Sequence, residues 1–177
     1  MTTLIAGFVA LTTLPVPASA SFAWQPMNGD RLVVDTQENM GYLIHPSGEF
    51  LAFPVATGQR RVVRYIGRVY NASTPSRSWS VESTDVKGDH MTFGPTGLFL
   101  RLYYKDERTP YGIHGHGQSE EMLSSDQRYR SMGCVIVSED MLQVIRQTYE
   151  LNGGYLSVVT TADPTVLGPL RLLAAAN

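Results

Sequence analysis

Residues 31–58 read RLVVDTQENMGYLIHPSGEFLAFPVATG. Three apolar runs stand out, Arg31 to Thr36, Met40 to His45 and Glu49 to Ala56. They are separated by Gln37 to Asn39 and by Pro46-Ser47-Gly48, and the last closes at Thr57-Gly58. Short runs rich in Val, Ile, Tyr and Phe between turn formers predict an antiparallel meander. The same texture continues outward. Val62 to Tyr70 and Trp79 to Thr84 are further strand candidates across the polar loop Asn71 to Ser76. Leu98 to Tyr104 alternates, with Leu98, Leu100, Leu102 and Tyr104 on one face and Phe99, Arg101 and Tyr103 on the other. Tyr111 to His114, Cys134 to Val137 and Tyr155 to Thr161 complete the set.

One helix is expected, starting after Ser138. The hydroxyl suits an N-cap, Glu139 and Asp140 favour the positive end of the dipole, and Met141, Leu142, Ile145 and Tyr149 form one apolar stripe. Asn152-Gly153-Gly154 ends it. The expected fold is therefore a single mainly-β domain, a sheet-rich sandwich or barrel-like body with one main helix after the cysteine strand. Residues 166–177 are expected to be a small-residue tail.

Of the 177 residues 43% are apolar and 17% charged, the balance of a globular chain long enough to bury its own core. A net charge of −2 provides no basic footprint and argues against a nucleic-acid partner. Leu4 to Leu14 is apolar but too short to cross a bilayer about 30 Å thick. Pro15, Pro17 and Ala18-Ser19-Ala20 follow it, the small-residue pattern of a cleaved leader, although Met1-Thr2-Thr3 lacks the usual basic residue. Residues 1–20 are accordingly expected to be a signal peptide with an atypical start. The mature domain would occupy residues 21–165 and be exported, with no membrane span after processing.

The chain has one cysteine, Cys134. It can form neither an internal disulfide nor a cysteine-rich metal site. A nucleophilic thiol requires a base, and His114, preceded by Ile113 and followed by Gly115, is the candidate. His116 shares its face if the segment is extended. Gly133 lets the backbone turn sharply before Cys134, so N–H groups around Gly133 and Cys134 are expected oxyanion donors. Arg128 and Arg130 precede the turn and could favour a thiolate. The 17-residue polar segment from Gly115 to Ser131 is long for a connecting loop and would overhang the site. His114 and His116 could alternatively be half of a metal site, but His45, His90, Glu120 and Glu121 show no spacing that supplies a third ligand. No metal or cofactor is expected.

Taken together, Ile113-His114-Gly115 and Ser131-Met132-Gly133-Cys134 resemble the two motifs of the L,D-transpeptidase (YkuD-like) catalytic domain, a His-Gly element followed by a Ser-His-Gly-Cys element. Residues 32–58 are similar to the opening strands of that family, so the resemblance covers roughly residues 30–161. It implies a cysteine peptidyl-transferase acting on peptidoglycan stem peptides in cell-wall biogenesis. Cys134 would take up the acyl group with release of D-alanine, His114 would be the base, the Gly115 carbonyl would orient the imidazole, and Gly133 would belong to the oxyanion site. Ser131, Arg130, Arg128 and His116 would contact substrate. Two positions depart from the family pattern. Met132 stands where the family often has His, and Ile136 where it often has Arg or Asn, so another cation would have to hold a substrate carboxylate. The rival readings are an L,D-carboxypeptidase using the same site, and a wall-binding module without catalysis.

Overall fold

In the computed structural model, which describes residues 24–65 and 67–175, the opening meander consists of β1 (Arg31–Asp35), β2 (Met40–Ile44) and β3 (Phe50–Pro54). The first turn is tied by Asp35, whose Oδ1 accepts from the N–H groups of Gln37 and Glu38 at 2.8 and 3.0 Å. There follow β4 (Thr57–Gly58), β5 (Val62–Tyr65), β6 (Arg68–Asn71), the ten-residue β7 (Arg77–Val86), a short α1 (His90–Phe93) and β8 (Leu98–Tyr104). The second half contains β9 (Glu107–His114), α2 (Ser119–Ser124), β10 (Tyr129–Ser131), β11 (Val135–Ile136), α3 (Glu139–Leu151), β12 (Leu156–Thr161) and α4 (Pro164–Ala174). The expected leader, residues 1–20, lies outside the described residues.

Eight strands form one sheet in the order β11-β9-β8-β7-β12-β1-β2-β3. The β11–β9 and β12–β1 pairs are parallel and the others antiparallel. The sheet curls until its two ends meet. Ala56, just beyond β3, exchanges backbone hydrogen bonds of 2.9 and 2.8 Å with Ile136 of β11. Beside this seam β4 pairs in parallel with β10. The mainly-β, barrel-like expectation thus holds.

The concave face carries the main core, including Leu32, Leu43, Val81, Leu100, Leu102, Ile113, Val135, Leu156 and Val158, against Met141, Leu142 and Ile145 of α3. Each of these side chains contributes about 1.5–3 kcal/mol through removal from water. Ser138 caps α3 as expected, its Oγ accepting from the Met141 N–H at 3.3 Å.

Three expectations are corrected. The segment expected to be a small-residue tail is helix α4, so among the described residues an 11-residue helix accompanies the 13-residue α3. Asp163 caps its start, Pro164 occupies the first turn, and Leu167, Leu170 and Ala174 form a stripe against Val33, Tyr42 and Ile44 on the convex face. Arg171 fastens it, Nε donating to Asp35 at 2.6 Å. Gly168 and Pro169 hid this helix, because both read as breakers when burial against the sheet is unknown. Val62 to Tyr70 is a hairpin of β5 and β6 that stands apart from the main sheet, turning at Gly67 with φ +74°. Finally, Gly115 to Ser131 contains α2 and β10. Met122 and Leu123 of α2 are buried with Ala56 and Ile136, which anchors the segment on the convex face.

Candidate active site

Val135 pairs with Ile113 and Ile136 with His114 where β11 runs beside β9. Ile113 and Val135 point into the core. By the alternation of a strand, Gly112, His114, Cys134 and Ile136 therefore share the opposite, convex face. On the next strand Phe99 pairs with His114 and Arg101 with Gly112. The sequence-predicted nucleophile and base thus lie on one face of adjoining backbone segments, one residue pair out of step. No hydrogen bond joins them directly among the described residues.

His114 is 4% exposed. Its ring stacks on Phe99, with centroids 5.5 Å apart and planes 16° apart, and tilts against Phe93 of α1 at 5.1 Å. Nδ1 lies 2.5 Å from the Gly115 carbonyl oxygen, a contact that assigns the proton of the neutral ring to Nδ1 and leaves Nε2 as acceptor. Burial pushes its pKa down to about 4, against the upward pull of the Gly115 and Thr92 backbones. Gly115 is a glycine for reasons of space. A Cβ there would lie 2.1 Å from Oε1 of Glu139, whose other oxygen accepts from Thr96 Oγ1 at 2.8 Å.

Cys134 is half-buried and retains a surface toward solvent, yet protein surrounds the sulfur closely enough that burial pushes the thiol up to about 11. A backbone hydrogen bond from Gly112 and the charge of Arg101 work in the other direction. The resting pair is therefore a neutral thiol and a neutral imidazole.

The turn before Cys134 is fixed on both sides. Gly133 has φ +113°, and a Cβ there would stand 2.6 Å from the Tyr111 ring. Its carbonyl accepts from Thr74 Oγ1 at 3.0 Å. Ser131 Oγ donates to the Cys134 carbonyl at 2.6 Å and accepts from the Gly133 N–H at 3.1 Å. The Gly133 N–H is thus occupied, whereas the Cys134 N–H makes no hydrogen bond among the described residues. That makes the Cys134 N–H the donor open to an oxyanion.

The remaining predicted residues divide. His116 Nδ1 accepts from the Gln118 N–H at 3.0 Å, just ahead of α2. Partial burial lowers its pKa, and the Arg130 cation lowers it further, which places Arg130 and His116 near each other. Arg130 is exposed and paired with Glu121 at 3.2 Å. Arg128 is committed elsewhere, donating to the Glu38 carbonyl at 3.0 Å. Ile136, 2% exposed, is held in the apolar cluster under α2.

Phe99 and Arg101 were not singled out from the sequence as site residues. The Phe99 ring occupies the space above Gly112, where a Cβ would come within 2.2 Å of it. Arg101 is 7% exposed, stacks over Phe99 at 4.3 Å, and donates to Asp85 at 2.6 Å and to the Thr109 carbonyl at 3.0 Å. A lone arginine inside an apolar alternating strand was the available signal. A cleft of about 1100 Å³ lies by Trp24, His45 and Phe50 and contains none of the site residues. A polar cleft of about 550 Å³ runs behind the Gly133 turn, lined by Thr57, Gly58, Ser73 and Thr74.

The family model for the L,D-transpeptidase catalytic domain (YkuD) matches residues 29–163. The chain belongs to that family. Its fold is similar to an L,D-transpeptidase from Xylanimonas cellulosilytica, at 19% identity and TM-score 0.54, covering 84% of this chain and 65% of that one. It is also similar to Bd1075 of Bdellovibrio bacteriovorus, at 14% identity and TM-score 0.52, covering 75% of this chain and 47% of that one. A mutant of the Enterococcus faecium L,D-transpeptidase gives 13% identity and TM-score 0.50, covering 76% and 50%. At these identities the likeness is one of fold, and this chain spans about half to two-thirds of those solved chains. No curated protein sequence matches it. Among the described residues no helix of this L,D-transpeptidase family member is long and apolar enough to cross a membrane.

Proposed function

We propose that the chain is a cysteine peptidyl-transferase acting on peptidoglycan stem peptides, with Cys134 as nucleophile and His114 as base. The observation that carries this reading is the placement of the chain's one thiol and a buried imidazole on the same sheet face, in adjoining segments, at a turn held open by Gly133.

The chemistry starts from neutral partners. As Sγ attacks the scissile carbonyl, its proton passes to Nε2 of His114, and the Nδ1–H bond to the Gly115 carbonyl steadies the imidazolium that forms. The carbonyl oxygen, now negative, accepts from the Cys134 N–H. Ser131 holds the turn that aims this donor. Collapse breaks the C–N bond, and the departing D-alanine amine takes the proton from the imidazolium. The thioester on Cys134 is then attacked by an amine of a second stem, which forms a cross-link and regenerates the thiol. His116 and Arg130 form the rim of the site beside α2. Residues 1–20 serve as the export leader, so the enzyme works outside the cytoplasm, in the periplasm or at the wall. The folded domain extends through α4, since α4 packs on the sheet.

Incubation with a disaccharide-tetrapeptide, followed by mass analysis, tests this reading. The expected products are D-alanine and a cross-linked dimer. Release of D-alanine without dimer would instead identify an L,D-carboxypeptidase, and binding to sacculi with neither product a wall-binding module.

A further inference from the structure

A peptide that loses its last residue carries a terminal carboxylate one residue beyond the bond under attack. Selecting such a peptide calls for a cation close to the nucleophile. Position 136 cannot supply it, because Ile136 is buried beneath α2. Arg128 donates into a backbone carbonyl, Arg130 is paired with Glu121, and Arg101 is buried on Asp85. The β5–β6 hairpin differs. Arg61, Arg64 and Arg68 make no ion pair among the described residues.

This hairpin is tied to the Cys134 turn at both ends. On the way in, Gly58 of β4 pairs with Ser131 of β10. On the way out, Thr74 donates to the Gly133 carbonyl. Within it, Val63 pairs with Tyr70 and Tyr65 with Arg68, so these four side chains share one face. Arg64 and Val69 pair on the other. Val63 and Tyr70 are half-buried, while Val62 and Val69 are 67% and 60% exposed, so at its base the hairpin turns the first face toward the body, and Tyr65 and Arg68 extend that face, exposed, toward the tip. The Tyr70 hydroxyl has its pKa raised by partial burial, then by Tyr65, Cys134 and Tyr111, consistent with Cys134 lying before that face.

We propose that Arg68, beside Tyr65 on the inner face of this hairpin, anchors the terminal carboxylate of the peptide that Cys134 attacks. The proposal rests on the peptidyl-transferase reading and supplies the cation that position 136 lacks. A guanidinium next to a tyrosine ring offers a planar fork for the carboxylate and an apolar surface for the short side chain of the terminal residue.

The test is calorimetric titration of Cys134→Ala protein with a stem tetrapeptide as its free acid and as its C-terminal amide. The expected result is that the free acid binds roughly tenfold or more tightly. Adding Arg68→Ala should abolish that preference, adding Arg68→Lys should restore part of it, and adding Arg64→Ala, on the outer face, should leave it intact. Equal binding of the two peptides, a preference that survives Arg68→Ala, or equal losses from Arg64→Ala and Arg68→Ala would each overturn the proposal. Failure of the underlying function would show separately, as absence of any acyl adduct on wild-type Cys134.

Discussion

The two faces of the β9–β11 pair use the same backbone for opposite purposes. On the concave face Ile113 and Val135 are fully buried among aliphatic neighbours. One residue along, on the convex face, His114 is buried almost as deeply, but with a titratable ring whose charged form has no carboxylate partner among the described residues. Burial stabilises the first face and biases protonation on the second. The difference shows that desolvation favours the neutral form of both the thiol and the imidazole.

The largest test of this contrast is Ile136→Arg, which places a cation on the convex face. Here it would bury a charge among Ala56, Met122 and Leu123, and it should cost about 3 kcal/mol or more of stability in urea unfolding. Little change in the midpoint would mean that α2 lifts readily and the cluster is not an anchor.

Acid titration gives a comparable effect. The pKa of His114 is about 4 when folded and near 6.5 when unfolded, so between those values the unfolded chain binds the extra proton. The stability contributed by keeping this ring neutral is complete above pH 6.5 and lost as the pH falls toward 4, amounting to about 3 kcal/mol. In His114→Gln this limb of the pH–stability curve should disappear. Its persistence would place the acid sensitivity elsewhere.

A smaller effect is expected at Gly112. In Gly112→Ala the new methyl group must displace the Phe99 ring, at a cost of about 1–3 kcal/mol. Because that ring also stacks on His114, the rate of Cys134 acylation should fall in molecules that remain folded. An unchanged rate would show that Phe99 does not position the imidazole.

How much of this was legible in the sequence follows the range of each interaction. The meander, strand β8 and helix α3 are written in local periodicity and caps, and their bounds differ from the expected ones by a few residues. Cys134 and His114 could be singled out as candidates because a glycine turn and a His-Gly element are short patterns. Phe99 and Arg101 were not, since their importance arises from register across three strands, which no local pattern encodes. Arg128 was over-read. A cation near the motif looked available, but its guanidinium is spent on the Glu38 carbonyl, 90 positions away. The Gly133 N–H was likewise over-read, because the neighbouring Ser131 hydroxyl takes it.

Acylation of the thiol tests the central claim most directly. Intact-mass spectrometry after exposure to a carbapenem should show one covalent adduct on the wild-type protein, mapped to Cys134, and none on Cys134→Ala with an unchanged thermal midpoint. An unmodified wild-type protein, under conditions where a control transpeptidase reacts fully, would contradict the account.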